Sequence, residues 1–153
     1  MITDAELLFS DTQDISQVAA AYNSTNVYDT RGSKTSPDNT STFWGATNEM
    51  FGLITIDAAV VGTSSTVQFE FVSSAATTLT TPTTHWDSGA IAEATLVAGY
   101  TFAFRLPPQE TYLRYLGFIY TIGTATTTAG TVTSILTPHL DIRKDYASGL
   151  TFA

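Results

Sequence analysis

The fold is decided by one stretch, residues 90–123, which reads AIAEATLVAGYTFAFRLPPQETYLRYLGFIYTIG. In its middle part, the apolar residues share one parity: Tyr100, Phe102, Phe104 and Leu106. This alternation predicts a half-buried β-strand, because successive side chains of a strand point to opposite faces. The strand has to end at Pro107, since proline cannot donate a ladder hydrogen bond.

The last part of the stretch, residues 113–122, is apolar on both faces. One parity holds Leu113, Tyr115, Gly117 and Ile119, and the other holds Leu116, Phe118, Tyr120 and Ile122. A strand of a β-sandwich meets the core with only one face, so the second face needs cover from elsewhere. We therefore expect Leu116, Phe118 and Tyr120 to contact another subunit or a protein partner.

The composition limits the possible classes of function. A length of 153 residues fits one domain, and the absence of Cys excludes a disulfide framework. The net charge of −8 argues against direct nucleic-acid binding, because an acidic surface repels phosphates. No apolar run approaches the roughly 20 residues that a membrane-spanning helix needs. We expect neither a nucleic acid nor a membrane as a partner.

Short alternating segments separated by turn residues recur along the whole chain. The clearest pair is residues 50–61 and 66–73, which we predict to form a hairpin around the turn at 62–65. With seven or eight strands and few helical patterns, the sequence predicts an all-β fold, an antiparallel β-sandwich with a jelly roll as the leading topology. We assign residues 1–14 to an N-terminal arm and residues 15–153 to a single sandwich domain.

Two apolar groups lie in segments whose role the sequence leaves open. Leu7, Leu8 and Phe9 stand between acidic flanks, either packing on their own domain or docking on a neighbour as an arm. Phe43 and Trp44 lie inside a long polar loop, where they either pin the loop or form an exposed anchor for a partner. We retain both groups as candidate contacts with a protein partner or another subunit.

The sequence contains no complete catalytic or metal-binding motif. His85 and His139 are each followed two residues later by an Asp, but two ligands do not make a metal site. The strand-associated acids that could serve a glycosidase are Glu49, Asp57, Glu70 and Glu93. Scattered acids more often solvate a surface. We therefore expect no enzyme activity, no metal and no cofactor.

Several stretches, in order along nearly the whole chain, resemble one family. They are DAELLFSDTQ (4–13), STNVYD (24–29), TVQFEFVSS (66–74), SGAIAEATLVAGY (88–100), YLRYLGFIYTIGTATTTAGTVT (112–133) and KDYASG (144–149). The sequence resembles the jelly-roll capsid cement, or head-decoration, proteins of tailed bacteriophages, of the Bordetella-phage type.

That resemblance implies a non-enzymatic virion protein on the outer surface of an icosahedral capsid. Its implied partners are the major capsid protein and further copies of itself, as a homodimer or homotrimer. Two other classes stay open. One is a carbohydrate-binding sandwich displayed on the virion, in which Trp44 and Trp86 stack on sugar rings. The other is a glycosidase that uses the acids named above.

Overall fold

The computed structural model describes residues 7–30, 50–107 and 110–138. In chain order its strands are β1 (Leu8–Asp14), β2 (Ala21–Asn23), β3 (Tyr28–Asp29), β4 (Phe51–Gly62), β5 (Thr66–Ser74), β6 (Thr83–Ala92), β7 (Thr101–Arg105), β8 (Tyr115–Gly123) and β9 (Thr127–Thr137). A short 3₁₀ helix, Glu93–Thr95, lies between β6 and β7. No helix in these ranges is long and apolar enough to span a membrane.

The strands form two antiparallel sheets. The four-stranded sheet has the order β1-β9-β4-β7. The five-stranded sheet has the order β2-β8-β5-β6, with β3 also paired to β8. Inward-facing residues of both sheets form one core, so the predicted all-β antiparallel sandwich is confirmed.

The strands pair as in one long antiparallel ribbon that is wrapped into two layers. β1 pairs with β9, β2 and β3 with β8, β4 with β7, and β5 with β6. These successive pairs fall alternately in the four-stranded and the five-stranded sheet. This is the arrangement of a jelly roll, the topology that the sequence favoured.

The predicted hairpin of residues 50–61 and 66–73 is wrong, although both strands exist. β4 lies in the four-stranded sheet and β5 in the five-stranded sheet, so the turn between them connects the two layers. Alternation cannot distinguish these cases, because a strand buries one face of its residues either way. Glu93 holds the turn by accepting hydrogen bonds from the backbone N–H groups of Ser64 (3.1 Å) and Ser65 (2.9 Å).

The core between the sheets is rich in aromatic side chains. Those with almost no exposure are Phe9, Phe69, Phe71, Tyr112, Phe118 and Tyr120. Phe9 meets Phe118 edge to face, with ring centroids 5.3 Å apart, and Phe69 meets Tyr120 at 5.8 Å. Each such pair adds about 0.5–1.5 kcal/mol beyond its buried area. The core is therefore held by contacts that cross from β1 to β8 and between strands of one sheet.

The stretch 90–123 contributes the end of β6, the whole of β7 and the whole of β8. Phe104 and Leu106 are buried as the alternation predicts, while Tyr100 and Phe102 are partly buried against the core. β7 ends at Arg105, and the N–H of Leu106 donates to the carbonyl of Met50 at 2.9 Å. The predicted strand end just before Pro107 is thus confirmed.

Candidate functional site

The candidate contact residues Leu116, Phe118 and Tyr120 are core residues of a single chain. Each has 0% exposed surface. The Tyr120 hydroxyl lies 2.7 Å from the Ser10 hydroxyl and 2.6 Å from that of Ser134, so its polar group is also satisfied internally. Burial, the largest cause, raises the pKa of Tyr120 to about 12. The prediction that these three side chains contact a partner is therefore wrong.

The opposite face of β8 is covered as well, by the chain itself. Leu79, from the connection between β5 and β6, packs with Val72 and Ile119 in a second small cluster. A Cβ on Gly117 would lie only 2.6 Å from Leu79 Cδ1, so the missing side chain makes room for this cover. The predicted strand with two apolar faces is present, but its outer face is covered by a loop of the same chain rather than by a second subunit.

The apolar triplet near the N-terminus is divided between three positions. Phe9 is 1% exposed within the core, and Leu7 is partly buried against that core. Leu8 pairs with Ile135 in β9 and lies on the outer side of the four-stranded sheet. The arm assigned to residues 1–14 is therefore corrected: Leu8–Asp14 is an edge strand of the sandwich. Residues 1–6 lie outside the described residues.

Other sequence candidates fall outside the described part of the chain. They are Phe43, Trp44, Glu49, His139 and Asp141. Their roles as an anchor, an acid or a metal ligand stay predictions. Within the ranges that the structure describes, no group of three or more His, Cys, Asp or Glu side chains could hold a metal ion.

A β-bulge places His85 in the interior. Phe71 pairs with Trp86 and Val72 with Thr84, which leaves His85 as the additional residue of β6. Such a bulge lets two consecutive side chains face the same side of a sheet. The His85 side chain is 1% exposed, and its ring stacks at a tilt on Tyr112 with centroids 4.3 Å apart.

His85 stands between a hydroxyl and a carboxylate. Its Nε2 lies 2.7 Å from Ser73 Oγ, and its Nδ1 lies 2.5 Å from Glu110 Oε2. The order of groups is that of hydrolase triads, in which the serine oxygen attacks a carbonyl. Ser73, however, is 0% exposed, and its Oγ also accepts the N–H of Leu113 at 3.0 Å. A buried hydroxyl cannot meet a substrate, so these groups tie β5, β6 and the approach to β8 together.

Sequence reasoning missed Ser73 and Glu110. A signal existed for Ser73: it shares the parity of the buried Phe69 and Phe71, so its hydroxyl faces the core. A buried hydroxyl requires a hydrogen-bond partner. The sequence does not identify that partner, because the bulge at His85 inverts the parity of β6.

The candidate acids for glycoside hydrolysis that the structure describes lie on different surfaces. Asp57 accepts from the Thr133 hydroxyl at 2.7 Å, outside the four-stranded sheet. Glu70 pairs with Ile119 in register and lies outside the five-stranded sheet. Glu93 holds the β4–β5 turn, and hydrogen bonds from Ser65 are the largest cause that lowers its pKa. No two of these three line one groove.

Trp86 of β6 packs against Phe104 of β7, so it connects the two sheets. Its ring lies parallel to that of Phe104, with centroids 3.9 Å apart and an interplanar angle of 4°. One aromatic face, which a sugar ring would need for stacking, is thus occupied. Trp86 is also partly buried against the core.

An apolar row crosses the outer side of the four-stranded sheet. The backbone register aligns Leu8 of β1, Ile135 of β9, Leu53 of β4 and Ala103 of β7. Leu8 and Leu53 are half-buried and Ala103 is exposed. We call these four residues the apolar row. Ile135 is only 5% exposed, so the accessible part of the row comes from Leu8, Leu53 and Ala103.

Comparisons with known proteins add one finding. The model of a family described as Bbp16 matches residues 9–136. The match begins within β1 and ends within β9, so it spans the sandwich. A search of curated proteins finds no match.

Proposed function

The chain belongs to the Bbp16 family, and from that premise we propose that it is a non-enzymatic structural protein of a phage virion. In this proposal it binds the outer surface of an icosahedral capsid and stabilises the shell by cementing neighbouring capsomers. The observation that carries the proposal is the family match over residues 9–136, because the family's name suggests a Bordetella phage protein.

The fold supports a structural role. The jelly roll closes its core without help, because both faces of β8 are covered within one chain. Jelly rolls are common in viral capsid domains, although they also occur in lectins and enzymes, so the fold alone does not assign a function. A sandwich that is complete as one chain can be added to a finished shell.

The chemistry of the described residues also supports a non-enzymatic protein. The one triad-like group has its serine fully buried, and the candidate acids Asp57, Glu70 and Glu93 lie apart on the surface. A catalytic site needs an accessible reacting group within reach of its base.

A protein that cements a shell has to bind at least two other protein molecules at the same time. The apolar row offers a surface for a second copy, since it crosses all four strands of a sheet and leaves Leu8 and Leu53 half-buried and Ala103 exposed. Beside it runs a parallel row of Thr133, Thr55 and Thr101, which is held by hydrogen bonds within the chain, from the Thr133 hydroxyl to Asp57 at 2.7 Å and from the Thr101 hydroxyl to Thr55 at 3.3 Å. We propose that this face supports the homodimer or homotrimer, and that the major capsid protein is the other partner.

The test is the strength of particles assembled with and without this chain. Shells that lack it should break at a lower temperature and fill with DNA less completely, because neighbouring capsomers lose their external link. Adding the purified protein back should restore both properties. Undiminished heat resistance and DNA filling without the chain would contradict the cementing role.

A further inference from the structure

One end of the sandwich is built from four connections, all of them within the described residues. They are residues 15–20, 63–65, 93–100 and 124–126. Backbone hydrogen bonds tie them to neighbouring strands: Ile122 N–H to Ala20 O at 2.9 Å, Thr127 N–H to Gln17 O at 3.0 Å, and Val60 N–H to Leu96 O at 2.9 Å. All four connections are therefore anchored at the same end of the sandwich.

The exposed large apolar side chains of the described part all lie at this end. Val18 is 62% exposed, Val61 is 50% exposed and Val97 is 53% exposed. Single exposed apolar residues are common on any protein, whereas exposed apolar residues gathered in one region are a feature of interaction surfaces. We call this surface, defined by the three valines, the valine end.

The hydrogen bonds place the three valines on neighbouring segments. Val97 follows Leu96, whose carbonyl accepts a bond from the residue before Val61. Val18 follows Gln17, whose carbonyl accepts a hydrogen bond from Thr127, the first residue of β9. β9 in turn pairs with β4 near Val61. Val61 thus lies between the other two along this end of the sandwich.

The connections at the valine end are fixed before any partner binds. The Glu93 carboxylate accepts hydrogen bonds from the β4–β5 turn, in which Ser64 has a positive φ of 57°. The connection between β1 and β2 is held to Thr127, whose hydroxyl donates to Ile15 O at 2.5 Å and accepts the N–H of Gln17 at 3.0 Å. Ordered loops lose little conformational entropy on binding, so their apolar contacts contribute more fully to affinity.

The charges at the two ends of the sandwich differ. Arg105 and Arg114 lie at the end opposite the valines, where Arg114 forms a 2.7 Å salt bridge with Asp29. Asp14 and Glu93 lie toward the valine end, and hydrogen bonds from nearby serines lower the pKa of both carboxyls. Both are therefore ionised at neutral pH. Among the described residues, the valine end carries no Lys or Arg.

We propose that the valine end is the surface that faces the capsid shell, and that it docks on an apolar patch of the shell bordered by basic side chains. This inference rests on the proposed function and adds which surface is used and what chemistry it meets. Charge complementarity selects this partner. Two valine ends meeting each other would bring together the carboxylates of Asp14 and Glu93 with no described cation between them.

The test compares the affinity of variants for purified empty shells in a pelleting assay. The triple variant Val18→Thr/Val61→Thr/Val97→Thr keeps the side-chain volumes and removes apolar surface. We expect it to bind at least about tenfold more weakly, since a few desolvated apolar contacts dominate such interfaces. The binding of the wild-type chain should also weaken between about 50 and 500 mM salt, because added ions screen the charge attraction.

The matched control removes a methyl group at each of three exposed sites of the opposite end, as Thr77→Ser/Thr80→Ser/Thr83→Ser. It should bind shells like the wild type. Thermal unfolding checks that each variant is folded, and Val97→Thr alone, in a connection, replaces the triple variant if that variant is unfolded. Equal binding by the folded valine variant and the wild type would overturn this inference and leave the proposed function intact. Failure of the wild-type chain to bind would count against the proposed function itself.

Discussion

Gly117 shows how one residue decides whether the protein needs a partner. It lies on the outer face of β8, opposite Val72 in β5, where the absence of a side chain admits Leu79. With Leu79 in place, Ile119 is only 8% exposed. A single glycine thus makes room for a loop of the same chain to cover the outer face of β8. From the alternation of the sequence alone, that face is expected to need a partner.

The substitution Gly117→Val tests this role of Gly117. The new side chain has to displace Leu79, and we expect a loss of about 1–3 kcal/mol in the free energy of unfolding, which is typical of overpacking. Urea denaturation measures the change. The control Ala90→Val, at an exposed position of β6, should alter stability by no more than about 0.5 kcal/mol. A Gly117→Val protein as stable as the wild type would show that Leu79 does not depend on this space.

At the scale of elements, β1 differs most from what the sequence predicts, because an expected arm is a paired strand. Acidic flanks around a short apolar triplet are compatible with either an arm or a strand, and position at the N-terminus favoured the arm. The structure resolves this through pairing with β9 and through Phe9, which touches Phe71 and Phe118 edge to face. β1 is consequently part of the fold and not an appendage.

Two substitutions in neighbouring residues of β1 distinguish a strand from an arm. Phe9→Ala should reduce the free energy of unfolding by about 3–5 kcal/mol, because it leaves a cavity in the core. Leu8→Ala, on the outer face, should cost only about 1 kcal/mol and should weaken self-association through the apolar row. Chemical denaturation and sedimentation measure the two effects. Similar small losses for both variants would support an arm.

At the scale of the whole molecule, sequence patterns predicted the strands better than their partners. Alternation identified most of β4, β5 and β7 and the all-β class, because a half-buried strand imposes a period of two on its own residues. It could not show that β4 and β5 lie in different sheets, since facing strands bury the same parity as paired ones. The contacts among Ser73, His85 and Glu110 depend on a bulge that composition does not reveal.

The candidate contact surface was predicted least well, for a related reason. The sequence gives the polarity of a face but not the path of the loops, so it assigned the interface to β8, which is covered. The apolar row and the valine end became visible only with the strand register and the exposed fractions of Val18, Val61 and Val97. Within the described residues, both surfaces expose apolar side chains, and the proposed cementing role assigns a partner to each.

The most direct test of that role is the co-sedimentation of the purified wild-type chain with empty capsid shells. A cement occupies a fixed set of equivalent positions, so the bound protein should saturate at a constant ratio to the shell subunits. Shells that already carry the protein should take up no more. Recovery of the chain in the pellet at the same level with and without shells would contradict the account.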